Sequence, residues 1–292
     1  MSRGIAIRNP GAHPGKYPIA LSARPSTRRL DPLPVHHHAA RPCGYQLPDR
    51  HRLPGVHDMS FLRTAALILL AAMAPLLAAE GIQLFNGKDL SGWEGREGLW
   101  TVEDGAIVGQ TTKDNPTKGN TFLFWRGQEI EDGELVFKCR LVETKNNSGV
   151  MFRGKDTGNF VSKGYQIDIQ SGAEHYGKLY DEGGRGRVCM CGEQVVWDKL
   201  TEGKDAGKYG KAKATPIDGD AWKKAEKKDD WNEIRVVGKG NHIETFLNGV
   251  KVLDFTDNEE EKRSKKGFIA LQIHAGAPMR IEFKDLVFTP AK

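Results

Sequence analysis

From Leu99 onward the chain is written in short alternating runs of apolar and polar residues. They are "LWTVEDGAIVG", "NTFLFWR", "GELVFKCRLVE", "SGVMFR", "GYQIDIQ", "EIRVVGKGNHIETFLNGVKVLDF", "GFIALQIH" and "MRIEFKDLVF". A period of two places successive side chains on opposite faces of a strand, and each run is bounded by Gly, Asn or Asp turn residues. "GKGNH" and the Asn248-Gly249 pair predict tight hairpins, because Asn-Gly tolerates the positive φ of a type I′ turn. No long stretch shows a helical period. The pattern predicts an all-β protein, a two-sheet antiparallel sandwich in a single domain over residues 80–292. One segment breaks the rhythm. Residues 201–230 are rich in Lys, Gly and Asp, and their mixed charges predict a solvated loop with one turn of helix near "DAWKKAEKK".

The front of the chain follows other rules. Residues 1–58 are rich in Pro, Arg and His without a hydrophobic period, a composition that buries no core and predicts a disordered extension absent from the mature protein. Met59 then opens "MSFLRTAALILLAAMAPLLAAE", with basic Arg63, an apolar run from Leu67 to Leu77 and small residues at Ala78-Ala79. This predicts a signal peptide over 59–79 and an exported, periplasmic or extracellular protein. The run is too short for a stable membrane anchor, and Pro75 interrupts it. The extension also distorts the charge. It holds 9 of the 43 basic and 3 of the 38 acidic residues, leaving 34 against 35 in the remainder. A nucleic-acid partner is therefore not implied. The His36–His38 tract lies in the same extension, where nothing would orient metal ligands. Outside it stand Cys139, Cys189 and Cys191, an odd number that argues against a full disulfide framework.

Candidate chemistry sits on the polar faces of three strands. In "GYQIDIQ", Gln166, Asp168 and Gln170 share one face, opposite Tyr165, Ile167 and Ile169. In "VMFR", Arg153 falls with Met151; in "LQIH", Gln272 falls with His274. If those strands are neighbours, the positions merge into one patch of Arg, Asp, His and Gln, the groups that recognise sugar hydroxyls. Trp93, Trp100, Trp125 and Trp231 are expected in the core. Tyr165, Tyr176 and Tyr180 are expected to stack on a sugar face, having both an apolar body and a polar tip.

Several of these runs, with "LFNGKDLSGW" (84–93), "NNSGVMFR" (146–153), "YGKLYDEGGRG" (176–186), "WNEIRV" (231–236) and "LQIHAGAPMRIEFKDL" (271–286), resemble the 3-keto-disaccharide hydrolase family. The matches occur in order over almost all of 82–290. The resemblance implies a concanavalin-A-like jelly roll, export, and action on glycosides oxidised at C3. It also makes the "YDEGGRG" segment, with Asp181 and Glu182, a site loop. A 3-keto group acidifies the neighbouring C2 hydrogen, so one base, one oxyanion stabiliser and an acid for the leaving group suffice. Asp168 or His274 is the expected base, Arg153 the enolate stabiliser and Glu182 the acid. No cofactor is required, although a divalent cation held by His274, Asp168 and a loop acid would serve as electrophile in place of Arg153. A lectin-like module with the same patch remains the alternative. A conventional two-carboxylate glucanase is disfavoured, since "YQIDIQ" supplies one acid only.

Overall fold

The computed structural model describes residues 80–142 and 146–292. The extension, the signal peptide from Met59 and the His36–His38 tract lie outside the described residues. The strands are β1 (Ile82–Gln83), β2 (Trp93–Glu94), β3 (Trp100–Glu103), β4 (Ala106–Gln110), β5 (Thr121–Trp125), β6 (Gly133–Val142), β7 (Asn147–Asp156), β8 (Ser162–Gln170) and β9 (Leu179–Glu182). They continue as β10 (Gly186–Cys189), β11 (Glu193–Lys199), β12 (Tyr209–Pro216), β13 (Asn232–Lys239), β14 (His242–Leu247), β15 (Val250–Asp257), β16 (Phe268–Ile273) and β17 (Arg280–Pro290).

Two sheets result. The ten-stranded sheet runs β12-β11-β15-β14-β13-β6-β17-β4-β3, with β1 added along β17, and the seven-stranded sheet runs β10-β9-β8-β7-β16-β5-β2. Pairing is antiparallel except between β11 and β15. The period-two pattern explains the layers. On β6, Leu135, Phe137, Cys139 and Leu141 point inward, while Lys138 and Arg140 alternate with them and reach Asp285 and Glu282. Tyr165, Ile167 and Ile169 of β8 join the same apolar layer, packed with Phe137, Phe283 and Leu271 into one core between the sheets.

The predicted turns are present. Asn248 and Gly249 have φ of 50° and 82°, and the 3₁₀ turn Ala221–Lys224 falls in "DAWKKAEKK". The loop reading of 201–230 needs correction, because Tyr209–Pro216 is an edge strand paired with β11. Its alternation is masked by lysines, a composition typical of an edge protected from pairing with other chains. The three cysteines are buried and unpaired. Burial pushes the Cys139 and Cys191 thiols up to about 12, so neither is a ready nucleophile. Trp93, Trp100 and Trp125 are buried as expected, whereas Trp231 is half-exposed with Arg140 and Lys284 over its ring.

Candidate active site

The polar patch of the seven-stranded sheet is built by register. Gly149 of β7 stands opposite Asp168 of β8, Met151 opposite Gln166, and Val150 opposite Leu271 of β16. Gln272, the next position on β16, therefore flanks Gly149 on its other side. With no side chain at Gly149, the Gln166 chain lies across that point; a Cβ there would come within 2.7 Å of Gln166 Cδ. Gln166 Nε2 consequently donates to Asp168 Oδ1 at 2.7 Å and reaches Gln272 Oε1 at 3.4 Å. Gln166 Oε1 and Gln272 Nε2 remain buried without a partner among the described residues. An acceptor and a donor are thus left over in a polar pocket, as a site for hydroxyl groups requires.

The neighbouring strand supplies what the sequence patterns did not single out. The β8–β9 register pairs Ile167 with Leu179 and Gln166 with Tyr180, and Asp168 N donates to Lys178 O at 3.0 Å. Lys178, Tyr180 and Glu182 thus alternate on the cleft face. Lys178 Nζ is 2.8 Å from Asp168 Oδ2, both side chains being 4% exposed, and it also donates to Gln170 Oε1 at 3.1 Å. A buried lysine paired this way keeps a fixed positive charge in the cleft floor. Asn120 closes the end of the cleft. Its Nδ2 donates to Glu182 Oε1 at 3.1 Å, while its Oδ1 accepts from Ala275 N at 3.0 Å. That ties the loop after β16 to β9.

Glu182 and His274 line the same cleft. Burial holds the Glu182 carboxyl above its ordinary range; Asp168 and Asp181 push it the same way, while Asn120 and His274 partly oppose the shift. His274 places Nδ1 at 2.6 Å from Ala275 O, and a carbonyl only accepts, so Nδ1 carries a hydrogen; in the neutral ring the lone pair is then on Nε2. The cleft bounded by these groups has a volume of about 570 Å³. Of the residues singled out in the sequence, Asp168, His274, Glu182, Gln166, Gln170, Gln272 and Tyr180 line it, and Asn120, Asn147, Lys178 and Arg187 are added. Taking "YDEGGRG" as a loop hides the strand Leu179–Glu182 that follows Lys178. Read as a strand, its period of two carries Glu182 and Tyr180 back to Lys178.

Four expected residues lie elsewhere. The β7–β8 register shifts between Met151 and Lys155, and Arg153 sits in the left-handed region at φ 61°. A bulge breaks the period of two and redirects the side chain. The Arg153 side chain is fully buried, donating to the carbonyls of Glu131 and Gly240 at 2.9 Å and pairing with Asp132 at 2.8 Å. Room for it comes from Gly238 of the other sheet, where a Cβ would stand 3.0 Å from Arg153 Nη2. Arg153 is a strut between the sheets, not an enolate stabiliser. Tyr165 also faces the inter-sheet layer, its hydroxyl donating to Asp257 and its ring edge-on to Phe255. Tyr176 is buried with its hydroxyl 3.4 Å from Cys139 Sγ. Asp181 pairs with Tyr165 across the strands and therefore points inward, holding Arg185 at 2.6 Å; Arg185 in turn binds Asp257 at 2.7 Å.

The cleft does not fit a divalent cation. Asp168 spends Oδ1 on Gln166 and Oδ2 on Lys178, and the ammonium holds the place a cation would take. Among the described residues, the one set of three ligand atoms within 4.8 Å of one another belongs to His242, Glu244 and Asp254 on the other sheet. There too a lysine, Lys251, bridges the two carboxylates.

A β-sandwich with a cleft lined by amides, two acids, a histidine and a buried lysine is, in this chain, a carbohydrate-related domain. More narrowly, the chain belongs to the family of 3-keto-alpha-glucoside-1,2-lyase-like domains, whose sequence pattern matches residues 80–289. No curated protein matches the chain. Among solved structures, it is similar to a proposed glycosyl hydrolase from Parabacteroides distasonis, with 21% identity, a TM-score of 0.46, and coverage of 73% of this chain and 100% of that one. The carbohydrate-binding module CBM66 of Bacillus subtilis gives 14% identity and a TM-score of 0.43 over 70% and 99% of the two chains. The laminarinase catalytic domain of Thermotoga maritima gives 13% and 0.42 over 73% and 98%.

Proposed function

We propose that the protein is an exported enzyme that cleaves the glycosidic bond of 3-keto-glycosides by base-initiated elimination. The observation that carries this reading is the meeting, in one cleft, of a free imidazole Nε2 on His274, a carboxyl raised by burial on Glu182 and a buried ammonium on Lys178. His274 Nε2 removes the C2 proton, and the electron pair passes to the C3 oxygen as an enolate. Lys178, held by Asp168, stabilises that oxyanion in a site of low dielectric. The pair then returns to form the C1–C2 double bond as the C1–O bond breaks, and Glu182 gives its proton to the leaving oxygen.

Two acids line the cleft, Asp168 and Glu182, so a two-carboxylate glycosidase has to be weighed against this. Both Asp168 oxygens are already engaged, which leaves a poor nucleophile. A lectin gains little from an imidazole in one cleft with a carboxyl of raised pKa. The test is incubation with a 3-keto-disaccharide and with the same sugar unoxidised, following the products by NMR. The expected result is an unsaturated 3-keto product, or its hydrate, from the first and no reaction of the second. Rapid cleavage of the plain glycoside would sink the proposal, as would inertness toward every 3-keto-glycoside.

A further inference from the structure

The turn that carries Glu182 has two sides. On one lies the cleft just described; on the other is a second, larger cleft of about 1200 Å³, and Glu182 and Gly183 line both. The second cleft runs between β7–β8, the end of β11 and the charged segment "EEEKRSKK" at 259–266. Its acids are largely spent within the protein. Glu259 binds Arg185 at 3.2 Å and Lys262 at 2.9 Å, Glu260 binds Lys265 at 2.8 Å, and Asp181 is held by Arg185. Three lysines of the lining, Lys155, Lys163 and Lys199, have no carboxylate partner among the described residues, against two acids without a basic partner, Glu261 and Glu182, the latter hydrogen-bonded to Asn120. Lys199 instead lies 5.6 Å from the ring centre of Tyr209, a half-buried aromatic face in the same cleft. Arg263 adds a buried Nε that donates to nothing among the described residues.

We propose that this second cleft receives the leaving group, and that its lysines select a sugar bearing an acidic substituent, a carboxylate or a phosphate. The inference rests on Glu182 as the acid that protonates the leaving oxygen. Glu182 stands at the boundary of the two clefts, so a group protonated by it at C1 borders the second cleft. Unpaired ammonium groups gain most from an anion, and a Tyr209 face suits the apolar side of a sugar ring.

The test begins with binding, which does not depend on turnover. Labelled protein is titrated with glucose, glucuronate and glucose 6-phosphate, and side-chain NMR signals are followed. The two acidic sugars should shift the signals of Lys155, Lys163 and Lys199, more strongly at low salt, and glucose should not. The tighter of the two identifies the substituent. Lys155→Ser with Lys163→Ser, both exposed positions, should weaken that binding about tenfold, or about 1.4 kcal/mol over the two ion pairs. The KM of a 3-keto-glucoside with a glucuronate leaving group should lie below that of its glucose counterpart, and the double variant should erase the difference. Cleavage with equal KM values for the two leaving groups would overturn the second site and leave the reaction standing. Acid-sugar binding at the lysines with no cleavage of any 3-keto-glycoside would overturn the reaction alone. Equal shifts from glucose and the acidic sugars would overturn the selection.

Discussion

Asp168 is the residue at which sequence and structure part most sharply. As a lone carboxylate on a polar strand face it looks like a general base, and its amide variant looks harmless to the fold. In the structure it is the counter-ion of a buried lysine. Asp168→Asn leaves Lys178 charged and uncompensated, which typically costs about 3–5 kcal/mol. Chemical denaturation should show that loss, and Asp168→Asn combined with Lys178→Gln should recover part of it. Activity should fall in both of these variants and in Lys178→Gln alone, because the cleft's fixed cation is mispaired or gone. Full activity in Lys178→Gln would remove it from the mechanism.

Glu182 makes the matching prediction for pH. Its carboxyl titrates above the ordinary value of 4.5 in the folded protein. The folded state therefore holds this proton more tightly than the unfolded chain does, so the stabilisation is complete below 4.5 and is lost as pH rises through the folded value. Glu182→Gln should raise Tm at about pH 7 and leave it near wild type at about pH 4, since only the ionised acid is penalised. As a general acid Glu182 must be protonated, so kcat should decline as pH rises through its folded pKa. The glutamine variant should lose about 10²-fold in rate and lose that alkaline limb. A 3-keto-glycoside with a nitrophenol leaving group, which needs no protonation, should be cleaved by it nearly as well as by wild type.

At the scale of elements, the faces of strands decide the site, and irregular strands mislead. Uninterrupted alternation on β8 and β16 placed Gln166, Asp168, Gln170 and Gln272 correctly. The same counting failed on β7, where a bulge at Arg153 turns its side chain inward. Arg153→Met should therefore destabilise the protein by about 2–4 kcal/mol, since the carbonyls it serves lose their donor. It should leave the rate per folded molecule unchanged; a selective loss of kcat at full stability would return Arg153 to the active site. Gly149 tests the floor of the cleft. Gly149→Ala places a methyl against Gln166, which should cost about 1–3 kcal/mol by overpacking and displace the amide from Asp168.

For the whole molecule, we propose export with a mature chain beginning near Glu80, checked by sequencing the N-terminus of secreted material. A mature chain retaining residues 1–58 would refute it. The net charge of the remainder, close to zero, came from composition alone, and the sandwich from the order of apolar and polar residues, because a period of two between turn residues has few ways to bury its apolar face. Local alternation likewise determined which side chains of β8 and β16 look away from the core. Tertiary structure decided the rest. Whether an acid is free or neutralised depends on the strand laid beside it: Lys178 meets Asp168 only through the β8–β9 register. Whether Tyr165, Tyr176, Asp181 and Arg153 face sugar or core depends on the second sheet and on one bulge. Those are long-range contacts and backbone angles, and a local pattern of residue types carries neither.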